Sequence, residues 1–363
     1  MLRVFFYGFL LILLNCKIHV NLPNRFIPMV IDFCNAVDTL MKTGCSGDIK
    51  KVAMILSEEN LRSGVTSEIL AKMATKVISF VPEYQPEKIL FDIVGTGGDC
   101  GITFNVSTAA AFMLAAVFAG PTFVKHPFAV AKFGGSASGK NSGSVDVLNS
   151  LGVHLAHSFQ EANLHIESLR LAFISSRTNP VFEKMRVVRH ELRKEGFGFT
   201  IFNLLGPLVN PTNPQKRLIG VSDSRLMIPM TNALKTLGVE KALVVCGHCG
   251  EDEVSIMGPT EVMYLDEGKV SQFQIEPSEF DFEAGNGIDI CGGSPDVSAT
   301  IISNIFKYRR QGSTMDIVVL NAGCALFLTG LFPTIEAAVR HVKDIAMSNL
   351  PRALFLSACF GMD

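Results

Sequence analysis

The rhythm of apolar and polar positions along this chain changes once, near residue 86. Before that point apolar residues recur at helical spacing: Val30, Phe33, Val37 and Leu40 share one face, and Ile69, Met73 and Val77 share another. The clusters Gly44-Cys-Ser-Gly47 and Ser63-Gly64 divide the stretch into about three helices, and Pro82 and Pro86 mark a linker. From residue 89 short apolar runs alternate with helical stretches. The pattern predicts strands at 89–94, 171–175, 218–221, 242–246, 262–265 and 316–320. It predicts helices at 108–118, 144–151, 161–169, 181–193, 225–237, 296–310 and 334–346. The expected class is α/β. A small all-α domain at 25–86, able to recruit later helices, precedes a large α/β domain at 87–363 with a mostly parallel central sheet. Ligands belong at the carboxyl ends of such strands.

Residues 1–24 form an apolar extension. Arg3 precedes an apolar run at 4–14 that resembles the core of a signal peptide and is too short to span a bilayer. No small-residue cleavage signal follows cleanly. An upstream extension or a mis-called start is therefore expected rather than export, and no membrane partner.

Composition narrows the function classes. With 363 residues, 48% apolar and only 18% charged, the chain can bury a substantial core and is not expected to be disordered. A net charge of -2 gives no general reason to expect nucleic acid as a partner. Any phosphate site must then be local and built mainly from backbone amides. Nine scattered cysteines, an odd number, read as reduced thiols of an intracellular, cytoplasmic protein. Cys246-Gly-His-Cys249 lacks a second pair at zinc spacing, so its cysteines are expected to serve as small hydrophobes.

The chemistry gathers around Gly95-Thr-Gly-Gly-Asp99 and Thr103-Phe-Asn-Val-Ser-Thr108, between the strand at 89–94 and an Ala-rich helix at 109–119. Glycines at a strand-to-helix turn let amides approach an anion, and Ser107 and Thr108 fall where a helix N-terminus offers unpaired N–H groups. Asp99 suits a sugar hydroxyl or a hydrated metal better than a phosphate. The combination points to a phosphorylated sugar. A second loop, 132–146, is rich in glycine and serine and carries Lys132 and Lys140, with Ser142 or Ser144 expected to cap the helix after it. Asp252-Glu253 follows the strand at 242–246, where adjacent carboxylates are hard oxygen ligands for Mg²⁺. The segment 200–211 reads as architecture: an apolar run, a Gly-Pro turn and an Asn-Pro stop. Arg189 is either a solvated helix residue or a bidentate partner for a substrate carboxylate; composition does not choose.

Taken together and in this order, these segments resemble the anthranilate phosphoribosyltransferase family. The matching pieces are GTGGD at 95–99, TFN-V-ST at 103–108, SGS-V-DVL at 142–148 and TIFNLLGPL-V-NP at 200–211. DE-V-S-x-x-GPT at 252–260 and an LNAG-type strand end at 320–323 complete the series. The resemblance implies a nucleoside phosphorylase/phosphoribosyltransferase-like fold and transfer of a 5-phosphoribosyl group from phosphoribosyl pyrophosphate to anthranilate, with Mg²⁺, in tryptophan biosynthesis. By motif, Gly95, Gly98, Asp99, Thr103, Asn105, Val106, Ser107, Thr108 and Lys132 would bind phosphoribosyl pyrophosphate. Ser107, Asp252 and Glu253 would hold the metal, and Gly95 and Arg189 would meet anthranilate. The resemblance also implies a homodimer. An aromatic amine is nearly unprotonated at neutral pH, so no general base is assigned.

The chain departs from the family pattern in the second loop. Where the family reads Lys-His-Gly-Asn-Arg, this chain reads Lys132-Phe-Gly-Gly-Ser136 when aligned without gaps from Asp146. Lys125-His126 keeps the Lys-His pair only with an insertion, so Lys132 is taken as the family lysine. Asn179 stands where a histidine is common, Phe199 replaces an arginine, and the segment after Leu192 is elongated. Two alternatives accompany the main expectation. A pyrimidine nucleoside phosphorylase-type enzyme would not want the Asp252-Glu253 pair, and a degenerate homologue binding phosphate or nucleic acid would favour a basic surface.

Overall fold

The computed structural model describes residues 22–98, 103–135, 143–282, 285, 287–308 and 310–361. The apolar run at 4–14, Asp99, Lys140 and Ser142 lie outside the described residues.

The N-terminal region is helical: α1 (Leu22–Thr43), α2 (Gly47–Ile55), α3 (Glu58–Gly64) and α4 (Ser67–Ile78). It thus holds four described helices where about three were expected, because the chain breaks at Leu56-Ser57 and a short helix then runs through Ser63-Gly64. Then follow β1 (Ile89–Gly95), α5 (Val106–Ala119), β2 (Phe128–Phe133), α6 (Ser144–Ser150), α7 (Phe159–Leu169), β3 (Leu171–Ile174), α8 (Pro180–Lys194) and α9 (Ile201–Leu208). The second half comprises β4 (Lys216–Gly220), α10 (Met227–Thr236), β5 (Lys241–Cys246), β6 (Thr260–Asp266) and β7 (Lys269–Ile275). Four helices close the chain: α11 (Pro295–Tyr308), α12 (Ser313–Phe327), α13 (Ile335–Ala346) and α14 (Leu350–Phe360).

The seven strands form one sheet in the order β3-β2-β1-β4-β5-β6-β7. The first five run parallel, and β6 and β7 add an antiparallel edge. Alternate residues of the central strands feed opposite cores, as a doubly covered sheet requires. Leu218, Leu243 and Val245 pack with α5, α12, α13 and α14. Ile219, Ala242 and Val244 pack on the other face with α1 to α4 and α8 to α10. The N-terminal helices therefore share one apolar core with helices that come after β3.

Three expectations are corrected. Residues 316–320, expected as a strand, lie in the middle of α12. That helix is buried on nearly every side, so its β-branched run Ile317-Val318-Val319 shows no helical periodicity. Two strands were not foreseen: β2, whose Lys132 reads as the start of a polar loop, and β7, whose outward residues are mostly exposed. Ser144 is the first residue of α6 and Gly143 occupies the cap position, so Ser144 does not cap that helix.

Candidate active site

Strands β1 and β4 end side by side, with Gly95 in register with Gly220 and the Thr96 amide donating to the Gly220 carbonyl at 2.9 Å. The chain leaves β1 through Gly97 and Gly98, whose φ angles of +70° and +95° only glycine adopts cheaply. Gly95 has a different reason to be glycine. A Cβ there would lie 2.0 Å from Asp252 Oδ2, and one on Gly220 would lie 1.6 Å from the Asp252 carbonyl oxygen. The missing side chains let the acid segment close onto the strand ends.

The acid pair is therefore part of the same hollow as the glycine turn. Asp252 and Glu253 are both buried, the Gly97 amide donates to Asp252 Oδ2 at 2.6 Å, and the Ser107 amide donates to Glu253 Oε1 at 3.3 Å. Glu253 thus sits at the N-terminus of α5, where an anion is stabilised by unpaired amides and the helix dipole. The expectation of amides standing ready for phosphate needs this adjustment: two of them donate to the chain's own carboxylates.

Asn321 fixes the acid pair from behind. Its side chain accepts from the Val254 amide and donates to the Val254 carbonyl, both at 2.9 Å. The LNAG motif is consequently a stretch of buried helix rather than a strand end. Gly323, two residues on, lets α12 approach α13, since a Cβ would meet Val339 Cγ2 at 2.4 Å.

Lys132 enters from β2. Its ammonium is buried and donates to the Ile93 carbonyl at 2.5 Å and to Ser107 Oγ at 3.1 Å. Burial pushes this amine below its ordinary value, opposed by Asp92, Glu253 and Asp252. Lys132 is the lysine brought to the site; Lys125 lies in the turn before β2. Thr103, Asn105 and Ser107 line the hollow with Gly95 and Gly98. Val106 and Thr108 are fully buried in the first turn of α5, and Thr108 Oγ1 has no hydrogen-bond partner among the described residues.

Helices α8 and α9 also line the cleft. Arg189 lines the cleft, and burial together with Arg193 lowers its guanidinium to about 10. Among the described residues it forms no ion pair. A half-buried cation of this kind suits an incoming carboxylate. Apolar surface flanks it: Phe182 and Met185 on the same helix, and Phe133, whose ring lies 4.8 Å from that of Phe182. The whole cleft holds about 330 Å³.

Segment 200–211 does more than the architecture expected of it. Asn203 accepts from the Thr200 amide at 3.1 Å and donates to the Thr96 carbonyl at 3.0 Å, tying α9 to the glycine turn. Its signal was the asparagine inside an apolar run, a polar residue that must find partners when buried. Cys246 and Cys249 are free, and burial pushes the Cys246 thiol up to about 11, so it behaves as a small apolar filler.

The donor set fits a magnesium ion. Two carboxylates and a serine hydroxyl are hard oxygen ligands, and Mg²⁺ ordinarily completes its shell with water and substrate phosphate. Among the described residues no cluster of three or more His, Cys, Asp or Glu exists that would make an all-protein cage. A shared site with a substrate oxyanion suits that inventory.

Comparison with known proteins gives the family and the fold. Residues 87–349 match the model of the glycosyl transferase family, a/b domain. An anthranilate phosphoribosyltransferase from Rubrobacter xylanophilus is 35% identical over 306 residues, covering 84% of this chain and 85% of that protein. The crystal structure of the Thermus thermophilus enzyme of that name has a TM-score of 0.76 at 29% identity, covering 91% of this chain and 94% of its own. A Saccharomyces cerevisiae structure, solved in complex with PRPP and Mg, shares the fold with a TM-score of 0.72 at 24% identity, over 92% and 93% of the two chains.

Proposed function

Because the chain belongs to the anthranilate phosphoribosyltransferase family, we propose that it transfers the 5-phosphoribosyl group of phosphoribosyl pyrophosphate to the amine of anthranilate, releasing pyrophosphate, in tryptophan biosynthesis. The observation that carries this reading is the single cleft. The turn 95–98, the N-terminus of α5, Lys132 and the acid pair lie at one side, and Arg189 with its apolar flank lies at the other.

Breaking the anomeric C–O bond leaves positive charge on the ribose and negative charge on the departing diphosphate. Lys132 and the N-terminus of α5 face the negative side, where fixed donors in a partly dry cleft stabilise developing charge. Asp252, Glu253 and Ser107 would hold Mg²⁺, which supplies positive charge to the diphosphate when bound. Without a cation the acid pair would repel the substrate, so sugar-diphosphate binding should itself depend on Mg²⁺. Arg189 would take the anthranilate carboxylate while Phe182, Met185 and Phe133 flank the ring. The acceptor needs positioning more than deprotonation, which matches a cleft with no assigned base.

The reading includes a homodimer and a cytoplasmic place of action, both carried by the family. Among the described residues no helix is long and apolar enough to cross a membrane. The test is loss of anthranilate fluorescence on adding phosphoribosyl pyrophosphate and Mg²⁺ together, with neither sufficient alone. Intact, saturable binding of phosphoribosyl pyrophosphate without turnover would support the degenerate homologue instead.

A further inference from the structure

The rim of the cleft includes a stretch of chain with no assigned part in the transfer chemistry. Residues 287–293 form a strap that leads into α11. Ile290 of the strap is fully buried in the core shared with α5. Phe306 of α11 packs on Phe112 of α5, with ring centres 5.7 Å apart. The strap is thus anchored to the same helix whose N-terminus forms the diphosphate side.

At its end the strap lies backbone to backbone on the segment that precedes α5. Cys291 forms an isolated antiparallel bridge with Thr103, and the Phe104 amide donates to the Ile290 carbonyl at 3.0 Å. Thr103, Phe104 and Asn105 line the cleft, as does Gly293 of the strap. So close an approach depends on Gly292. A Cβ there would lie 2.4 Å from the Thr103 carbonyl oxygen, 2.9 Å from the carbonyl carbon and 3.0 Å from Phe104 Cα. All three obstacles are backbone, so no change of rotamer relieves them. Gly292 does not have a positive φ, and its own conformation would admit alanine. The glycine serves the segment beside it rather than the strap.

Gly287, on the same strap, gives the contrast. A Cβ there would meet Met257 Sδ at 2.9 Å, part of a flexible side chain that can turn away. At 292 the backbone itself must move. Phe104 and Val106 are locked in the core, so the displacement falls on Thr103 and Asn105, which line the cleft just before Ser107. Misplacing a positioning group by about 1 Å can cost roughly 100-fold in rate.

We propose that Gly292 is a positioning residue: by lying flat against Thr103 it lets the strap hold Thr103-Phe104-Asn105 in the place where the diphosphate binds. This rests on the diphosphate reading of the cleft given above.

The test uses the full chain carrying Gly292→Ala, with Gly287→Ala as its companion. Affinity of Gly292→Ala for inorganic pyrophosphate with Mg²⁺, measured by calorimetry, should fall about tenfold or more. In turnover, KM for phosphoribosyl pyrophosphate should rise to match, while KM for anthranilate moves less than about twofold. Gly287→Ala should keep pyrophosphate affinity within about twofold. Hydrogen exchange on the unmodified chain gives a second readout: pyrophosphate with Mg²⁺ should slow the amides of 288–293 at least about fivefold. Normal pyrophosphate affinity in folded Gly292→Ala overturns the proposal. So does an equal loss in Gly287→Ala, or a strap whose exchange ignores pyrophosphate. If Gly292→Ala does not fold, the exchange measurement decides alone. An unmodified chain that fails to bind pyrophosphate removes the reading on which the proposal rests. If that chain binds pyrophosphate but transfers nothing to anthranilate, the proposed function fails while this comparison still reads out.

Discussion

The two sides of the cleft are built by different means. The side proposed for the diphosphate is a strand end and turn at 95–98 followed by a helix start at 103–108, in which backbone path, glycine and a helix N-terminus do most of the work. The side proposed for the acceptor is assembled from side chains of β2 and of α8 and α9, some fifty residues further along the chain. A site made of backbone forces a particular run of residues and can be read as a motif. A site made of converging side chains leaves each residue with an ordinary explanation until the fold places it. Arg189 illustrates this: on the sequence it is a helix arginine, and in the structure it is a half-buried cation lining the cleft without an ion pair among the described residues.

The largest effect should come from removing both cleft carboxylates. Asp252→Ala with Glu253→Ala should lower kcat/KM by at least about 1000-fold, roughly 4 kcal/mol of transition-state stabilisation. Steady-state kinetics across a magnesium titration checks it, and near-normal turnover would mean that the two sides do not divide the work as described. Gly95→Ala comes next. Its Cβ would sit 2.0 Å from Asp252 Oδ2, so either the strand end or the acid must move. Overpacking of this kind costs about 1–3 kcal/mol, and affinity for phosphoribosyl pyrophosphate with Mg²⁺ should drop roughly 10- to 100-fold. Calorimetry on the folded variant gives the answer directly.

What was legible follows the same division. The parallel strands β1, β4 and β5, the turn at 95–98 and the acid pair beyond β5 were placed correctly, because each is local and strongly patterned. Lys132 was named as a phosphate ligand, yet the strand that carries it was read as the start of a loop. A lysine in a short apolar run looks like a boundary unless its ammonium is known to reach the Ile93 carbonyl and the Ser107 hydroxyl. The run 316–320 failed for the opposite reason: a helix covered on all sides loses the polar face that reveals its period. Asn203, Asn210 and Asn321 were seen as punctuation or motif letters, and their work as backbone clamps depends on partners remote in sequence.

Arg189→Met separates the two sides most cleanly. Losing a charge-assisted carboxylate contact is worth about 1.5–3 kcal/mol, so KM for anthranilate should rise roughly 10- to 100-fold. KM for phosphoribosyl pyrophosphate should stay within about twofold, a split that marks the loss of acceptor binding alone. If both constants rise together, the arginine serves the diphosphate side as well and the division drawn here is too sharp.

The smallest effect lies outside the cleft and asks whether its stability can be altered without altering either side. Helix α5 begins at the diphosphate hollow and ends near Phe123, whose ring lies 5.7 Å from His341 on α13. His341 Nε2 is buried without a partner among the described residues, and burial holds the imidazole below its ordinary value, with Asp344 opposing. The sign follows from linkage: the unfolded chain takes up a proton near about pH 6.5, before the folded chain does. The stability contribution of neutral His341 is therefore complete above that pH and is lost as pH falls toward the folded value. The side chain is partly exposed and solvent screens it, so the loss should be well under about 1 kcal/mol. His341→Gln should flatten the decline in melting temperature between pH 7 and 5.5 by about 1 °C while leaving both KM values unchanged. An unaltered decline would place the acid sensitivity elsewhere, and a shifted KM would show that the far end of α5 communicates with the hollow at its start.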